Sequence, residues 1–306
     1  MSETENQNEK LVGVEVSKTA FKAVSIDRNG TIGDSLKTGT TDGAEMLAQL
    51  IKFINEAKNK FGNVEKIGLA VPGLLHRKTR RVAVSTSIPE QEKTDFLSQV
   101  ETSTGLKITI ENDANAAAFG EFSLGAGRGC RDMFYVTLGA GIGGALIFGG
   151  KIWRGASGFA GEFGQVAVNS EGMRLEDVAS AANIVRRTRS RFHQDSTSSL
   201  NRIPEEKITL ADVVQAAKNQ DDFSRMMLER TGTYVGAAVA GVINLLNIER
   251  IVVGGEIMQA EHLVLDSIIR RAGELSFTPS FKGTEIVTGE LGESAAAVGV
   301  ALLSAK

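Results

Sequence analysis

The sequence predicts an α/β protein with a duplicated core, each half opening on strands in the order β-β-β-α-β. Three observations lead there. LVGVEVSKTAFKAVSID, from Leu11, reads as strand, short turn, strand. MFYVTLGAGIGGALIFGGKI, from Met133, repeats that opening around a glycine-rich turn. Between and after them, apolar runs of strand length alternate with segments whose apolar residues recur at helical spacing, the pattern of mixed α/β architecture.

Taken in order, residues 1–9 are polar and acidic and are expected to form a disordered tail. After the first two strands, Asn29-Gly30 is a two-residue hairpin signal leading into a third strand. Gly43 to Phe61 carries Met46, Leu47, Leu50, Ile51 and Ile54 at helical spacing, and KIGLAVPG follows as a buried strand ending in a turn. KITIENDANAAAFGEFSLG is a β-rich run passing into an alanine-rich helix whose start is marked by Asn112 and Asp113. In the second half, Gly149-Gly150 is another hairpin turn, and Arg186 to Arg202, basic and serine-rich, reads as a mobile, solvated excursion. ITLADVVQAAK and DDFSRMMLERTGTYVGAAVAGVINLLN are helices, IVVGG is a buried strand ending on glycines, and ESAAAVGVALLSA closes the chain as a small-residue helix.

Composition narrows the function classes. The chain has 306 residues and a formal net charge of -3, so no general field attracts nucleic acid or an anionic membrane. Its single cysteine, Cys130, cannot form an internal disulfide, and the start MSETENQNEK lacks the charged and apolar regions of a signal peptide, which together point to the cytoplasm. No apolar run approaches the ~20 residues that span a bilayer. With 34 glycines against 4 prolines, close backbone approach matters more than rigid turns.

Three segments carry candidate chemistry. Gly139-Ala140-Gly141-Ile142-Gly143-Gly144 is either a tight hairpin or a turn whose N–H groups face phosphate oxygens; it opens no helix and lacks GKS or GKT, so neither a Rossmann nor a P-loop reading fits. Within Glu111-Asn112-Asp113, the aspartate either caps the helix or takes the proton of an attacking hydroxyl; the two roles are compatible. Glu162, set between glycines, and Glu176 are either surface glutamates or acceptors for the vicinal hydroxyls of a sugar. His76, His193 and His262 lie far apart in the chain and form no Cys/His metal set.

These pieces, IENDANAAAFGEFSLGAGRG, VTLGAGIGGALIFGGKIWRGASGFAGEFG, LEDVAS, IVVGG and AAAVGVALL, resemble in order and spacing the ROK family of bacterial sugar kinases and sugar-responsive repressors, from about Leu11 to Ala305. The resemblance implies an actin-like, hexokinase-type fold with a ribonuclease H-like core, two lobes hinged about a substrate cleft. It implies a division into residues 10–118 as an N-terminal lobe with the sugar cleft and first phosphate turn, 119–290 as a C-terminal lobe, and 291–306 as a helix packing back near the first lobe. It implies Asp113 as general base; Gly73, Ser87, Asn112, Asp113, Glu162, Gln165 and Glu176 on the sugar; and Glu15, Lys18, Thr19, Gly139, Ala140, Gly141, Gly143, Gly254 and Gly255 on the nucleotide. The substrates implied are a hexose or N-acetylhexosamine and ATP with Mg²⁺. Apart from the resemblance, a homodimer is expected as the usual state of cytosolic enzymes, and the charge and hydropathy above lead to no nucleic-acid or membrane partner.

The departures from the family pattern are specific. The usual Asp-x-Gly-Gly-Thr-Lys turn here reads Glu15-Val16-Ser17-Lys18-Thr19-Ala20, and Ala140 replaces a threonine. Ser87 stands where a sugar-binding asparagine is common. Gln165 stands at the histidine of the family's zinc site, and Asn169 to Arg174 holds no cysteine, so no structural zinc is expected. Two functions follow as expectations: ATP-dependent phosphorylation of a hexose or amino sugar at the 6-hydroxyl, or a catalytically weak or inactive sugar-binding regulator derived from such a kinase. With the first strand beginning near Leu11, the regulator is expected to lack the DNA-binding segment of the family's repressors.

Overall fold

The first strand, β1 (Leu11–Val16), alternates its side chains about the sheet, and that alternation organises everything around it. Val12, Val14 and Val16 pack with Phe21 against Leu50, Phe53 and Ile54 in one buried cluster, whereas Gly13 and Glu15 face the opposite side. The computed structural model describes residues 10–27, 30–40, 45–62, 64–76, 81–84 and 95–305; the expected tail over 1–9 lies outside them.

β1 pairs antiparallel with β2 (Ala20–Ile26) and parallel with β4 (Lys66–Val71). β2 continues antiparallel to β3 (Ile32–Gly39), and β4 continues parallel to β7 (Lys107–Asn112), giving the order β3-β2-β1-β4-β7. Strands β5 (Leu74–His76) and β6 (Arg81–Val84) pair antiparallel as a separate two-stranded sheet. A second five-stranded sheet repeats the first in the order β10-β9-β8-β11-β12, from β8 (Met133–Leu138), β9 (Ile142–Phe148), β10 (Lys151–Trp153), β11 (Arg250–Gly254) and β12 (Glu285–Thr288). Its parallel part is β8-β11-β12, as β1-β4-β7 is in the first. The duplicated α/β core is thus present strand for strand.

Helix α1 (Met46–Phe61) covers one face of the first sheet because Leu50, Phe53, Ile54, Ala57 and Phe61 recur at helical spacing. α2 (Phe96–Thr104) adds Phe96, Leu97 and Val100 to the same cluster. On the other face lie α3 (Asp113–Leu124) and α10 (Ala295–Ser304), where backbone meets backbone. A Cβ on Gly13 would stand 1.8 Å from the Ala297 carbonyl oxygen, and one on Gly68 2.0 Å from that of Val300. The buried Glu121 carboxylate accepts from the N–H groups of Ala126, Glu290 and Leu291, locking the end of α3 to the segment that leads into α10. The chain packs as two compact units, one built from residues 1–129, 145–160 and 290–306 and the other from 130–144 and 161–289. Helix α3 falls whole within the first of these units, seated on α10.

The remaining helices are α4 (Leu175–Ala179), α5 (Ala181–Arg189), α6 (Leu210–Lys218), α7 (Asp222–Leu246), α8 (His262–Leu275) and α9 (Thr278–Lys282). Gly232 and Gly236 let α7 sit directly on α8, since a Cβ there would meet the carbonyl oxygens of Val264 and Ile268 at 2.5 and 2.6 Å.

One expectation needs correction. The segment Arg186 to Arg202 is structured: it continues α5, then forms 3₁₀ turns over Phe192–Gln194 and Ser199–Arg202. Phe192 and Leu200 are buried in it, and Asp221 accepts from the Ser198 and Ser199 hydroxyls. The arginines dominate the composition while two apolar anchors decide the conformation. Between β2 and β3 the Thr31 N–H donates to Asp27 Oδ1 at 2.8 Å. Asn29 and Gly43 lie outside the described residues, and α1 is described from Met46. Gly149 and Gly150, both left-handed at φ 55° and 73°, do make the two-residue turn between β9 and β10.

Candidate functional site

In the first unit the register sets Glu15, Ala70 and Glu111 in one row across β1, β4 and β7, on the face covered by α3 and α10. β7 ends at Asn112, which supplies the N-cap of α3: its Oδ1 accepts from the Asn115 N–H at 3.0 Å. Asp113 is therefore the first helical residue rather than the cap. Its Oδ1 accepts from the Ala114 N–H at 2.8 Å and from Asn112 Nδ2 at 3.0 Å, and that same Nδ2 donates to the Gly73 carbonyl at 3.0 Å. Gly73 holds φ 115°, a conformation that side chains avoid, which turns its carbonyl toward Asn112. Gly73, Asn112 and Asp113 are thus brought together as one hydrogen-bonded group. Ser87 lies outside the described residues.

Glu15 faces this group electrostatically. Burial first, and then the charge of Asp113, push its carboxyl up to about 7, against the opposing pull of its cross-strand neighbour Lys22. Lys22 and Lys37 both pair with Glu293, at 3.5 and 2.9 Å, which leaves Glu15 without a full counter-charge. A carboxyl that rises from 4.5 in the unfolded chain to about 7 in the native one contributes stability below 4.5 and loses it as pH climbs through 7. Glu15→Gln should therefore gain stability relative to the wild type between pH 5 and pH 8, by roughly 2–3 kcal/mol. Urea unfolding of both proteins at the two pH values measures this; a difference that does not change with pH would show that Glu15 does not hold the proton.

The first turn is closed upon itself. The Ser17 N–H donates to the Ala20 carbonyl at 2.9 Å, and the Ala20 N–H donates to Ser17 Oγ at 3.0 Å. Thr40 takes the Lys18 carbonyl through its hydroxyl and the Thr19 carbonyl through its N–H. No residue of this turn has positive φ. Two of its N–H groups are thus committed internally, and Lys18 and Thr19 lie at its tip.

In the second unit, Gly139 to Gly141 form the turn between β8 and β9. Gly141 serves space rather than handedness: a Cβ on it would lie 2.8 Å from Glu176 Oε2, the oxygen that accepts from the Ile142 N–H at 2.9 Å. Glu176 thus supports the turn as well as standing beside Glu162, whose carboxyl is held above its ordinary value by burial and then by the charge of Glu176. Gly143 lies within β9. Gly254 and Gly255 are accounted for by packing, a Cβ on the first meeting the Tyr135 hydroxyl at 2.4 Å and one on the second the Leu138 carbonyl oxygen at 2.3 Å.

Gln165 Oε1 accepts from Arg174 Nη1 at 3.0 Å, and Arg174 also binds both oxygens of Asp177. With the Leu175 N–H donating to the Val166 carbonyl and the Val168 N–H to that of Met173, this closes the 165–175 segment through hydrogen bonds. Among the described residues no group of three His, Cys, Asp or Glu side chains is placed to hold a metal ion. An amide and an arginine are poor zinc ligands. The purified protein is expected to contain less than about a tenth of an equivalent of zinc and to keep its melting temperature in excess chelator; about one zinc per chain by elemental analysis would overturn this.

An open cleft of about 690 Å³ lies entirely within the second unit. Ala181, Val185, Ile208 and Leu210 give it apolar walls; Arg186 and Arg189 bring positive charge; Ala140 and Glu256 close the end nearest the glycine turn. Arg189 is fixed by donating to the Ile208 carbonyl at 2.8 Å, while Arg186 is exposed. Sequence patterns do not reveal this wall because the arginines sit in a run that looks solvated, and only the fold of α5 turns them toward the turn that carries Ala140. Arg154, which pairs with Glu111, escapes notice for a different reason: nothing local marks a lone arginine before a glycine loop.

The ROK family model matches residues 11–306. The glucokinase of Halalkalibacterium halodurans is 30% identical over 306 residues, covering 94% of this chain and 92% of that protein. That of Thermotoga maritima is 31% identical over 310 residues, covering 95% and 96%. Among solved structures, a ROK family glucokinase from Streptomyces griseus in complex with glucose and AMPPNP superposes with a TM-score of 0.88 at 28% identity, over 97% of this chain and 99% of that one. The likeness bears out the actin-like, hexokinase-type fold. No helix among the described residues is long and apolar enough to cross a membrane.

Proposed function

This chain belongs to the ROK family, and from that membership we propose that it transfers the terminal phosphoryl group of Mg²⁺-bound ATP to a hexose or amino sugar, at the 6-hydroxyl. The observation that carries the reading is at the start of α3. Asn112 does the capping, so the Asp113 carboxylate is not consumed by it, and the Asn112 amide and the Ala114 N–H orient Asp113. As the sugar oxygen bonds to the γ-phosphorus and the bond to the β–γ bridging oxygen breaks, Asp113 takes the hydroxyl proton and ADP leaves. Asn112, Gly73, Ser87, Glu162, Gln165 and Glu176 are assigned to the sugar. The turn at Gly139 to Gly141 with Gly143 is assigned to the phosphates, helped by Glu15, Lys18 and Thr19 in the first turn, and Gly254 and Gly255 to the adenosine side. The apolar walls and arginines of the 690 Å³ cleft suit a purine nucleoside with its charged tail. A cytoplasmic homodimer belongs to the same reading.

The closed first turn favours a second reading, a sugar-binding regulator of low or no turnover. With the Ser17 and Ala20 N–H groups bonded internally, the turn offers a phosphate fewer donors than an open glycine loop does. A coupled ADP-release assay across hexoses and N-acetylhexosamines, with sugar binding measured by calorimetry in parallel, decides between them. Turnover with any of these sugars supports the kinase; tight sugar binding with no ADP release in the presence of Mg²⁺-ATP overturns it.

A further inference from the structure

Glu111 is a carboxylate sealed inside the first unit, its side chain 9% exposed and that of Arg154 beside it 21%. Oε2 accepts from both Nε, at 3.1 Å, and Nη2 of Arg154. Oε1 accepts from the Asn112 backbone N–H and from Asn115 Nδ2, each at 3.1 Å. One oxygen is thus bound to a cation that follows the end of β10 and the other to the two asparagines that begin α3. Asn112 in turn reaches Gly73 and Asp113 through Nδ2. Arg154 also roots the loop that follows it, its carbonyl accepting from the Ala160 N–H at 3.1 Å and Nη1 donating to the Ile152 carbonyl at 3.4 Å.

We infer that Arg154 is a positioning residue for Asp113, acting through Glu111 and the Asn112 to Asn115 start of α3. The inference rests on the reading of Asp113 as the base, and gives that reading a mechanical origin: the carboxylate is aimed by a network whose counter-charge is brought from another strand end. Glu111 without Arg154 is a buried charge stripped of that counter-charge, an unfavourable state that the site relieves by drawing in water or shifting the strand end. Either response moves the Asn112 N–H, and with it the amide that holds Asp113. Removing both charges removes the cause, since a glutamine at position 111 keeps an acceptor for Asn112 and Asn115 while carrying no charge.

Wild type, Arg154→Met, Glu111→Gln and the double variant are compared by two measurements: turnover with glucose and Mg²⁺-ATP, and native-state hydrogen exchange of the Ala114 and Asn115 amides. Arg154→Met is expected to lose at least about tenfold in kcat with KM for glucose changed less than about threefold, and to raise exchange at the two amides about tenfold. The double variant should recover most of both losses. A simple loss of loop packing predicts no recovery from Glu111→Gln. A double variant no better than Arg154→Met, or an Arg154→Met protein like the wild type in both measurements, overturns the inference. If Arg154→Met does not fold, Arg154→Lys keeps the charge but not the forked contact and should exchange faster than wild type at the same amides; wild-type protection there overturns the inference equally. A wild type without turnover sinks the kinase reading, while the exchange measurement still decides the role of Arg154.

Discussion

Asp113→Asn is expected to lower turnover by ~10²- to 10⁴-fold while leaving sugar affinity within about fivefold of wild type. The asparagine retains an oxygen for the Ala114 N–H and the Asn112 amide, contacts that orient residue 113. What it loses is the ability to accept the hydroxyl proton. The competing role, helix stabilisation, predicts a different size of effect. The cap is supplied by Asn112, so residue 113 contributes to α3 mainly as a negative charge in its first turn, worth about 0.3–1 kcal/mol. A stability loss of that size could not lower kcat by orders of magnitude in a protein that remains folded. Because Asp113 raises the Glu15 carboxyl, the substitution should also lower the pH at which Glu15 titrates. Steady-state kinetics and calorimetric sugar binding on one preparation test this: wild-type turnover in Asp113→Asn would remove the general base from the mechanism.

Gly299→Ala should add one of the most damaging methyl groups at the described positions of the first unit. A Cβ at 299 would stand 1.7 Å from the Ala116 carbonyl oxygen and 2.7 Å from the Gly120 backbone nitrogen, distances no Cβ tolerates. Both neighbours are backbone of α3, so no side chain can swing aside and the helices must part. Alanine in place of glycine favours an isolated helix by about 1 kcal/mol. Overpacking of a rigid contact costs typically about 1–3 kcal/mol and more where backbone must move, so the net effect is expected to be a loss of at least about 2 kcal/mol. α3 begins at Asp113, so the displacement should reach the site and reduce turnover beyond the fraction of protein unfolded. Chemical unfolding monitored by circular dichroism gives the first quantity and kcat per folded molecule the second. A variant as stable as wild type would mean that α3 and α10 are farther apart than these distances require.

Features set by short-range chemistry are legible in the chain itself. Strand β1, helix α1 and the turn at Gly149 and Gly150 can be read there because alternation, helical spacing and paired glycines are local patterns. So can the α3 start: an asparagine and an aspartate after a β-rich run mark a helix N-terminus, and the structure adds which of them caps it. Other features arise only when distant segments meet. Arg186 to Arg202 looks solvated because charge is counted locally, whereas Phe192 and Leu200 are buried by the surrounding fold. The glycines at 13, 68, 120 and 299 are common residues in sequence and obligatory in space, because only the approach of α10 to β1, β4 and α3 leaves no volume for a methyl group. The high proton affinity of Glu15 and the pairing of Glu111 with Arg154 belong to the same class: a carboxylate's behaviour depends on burial and on charges brought from other strands, and neither is written beside it in the chain.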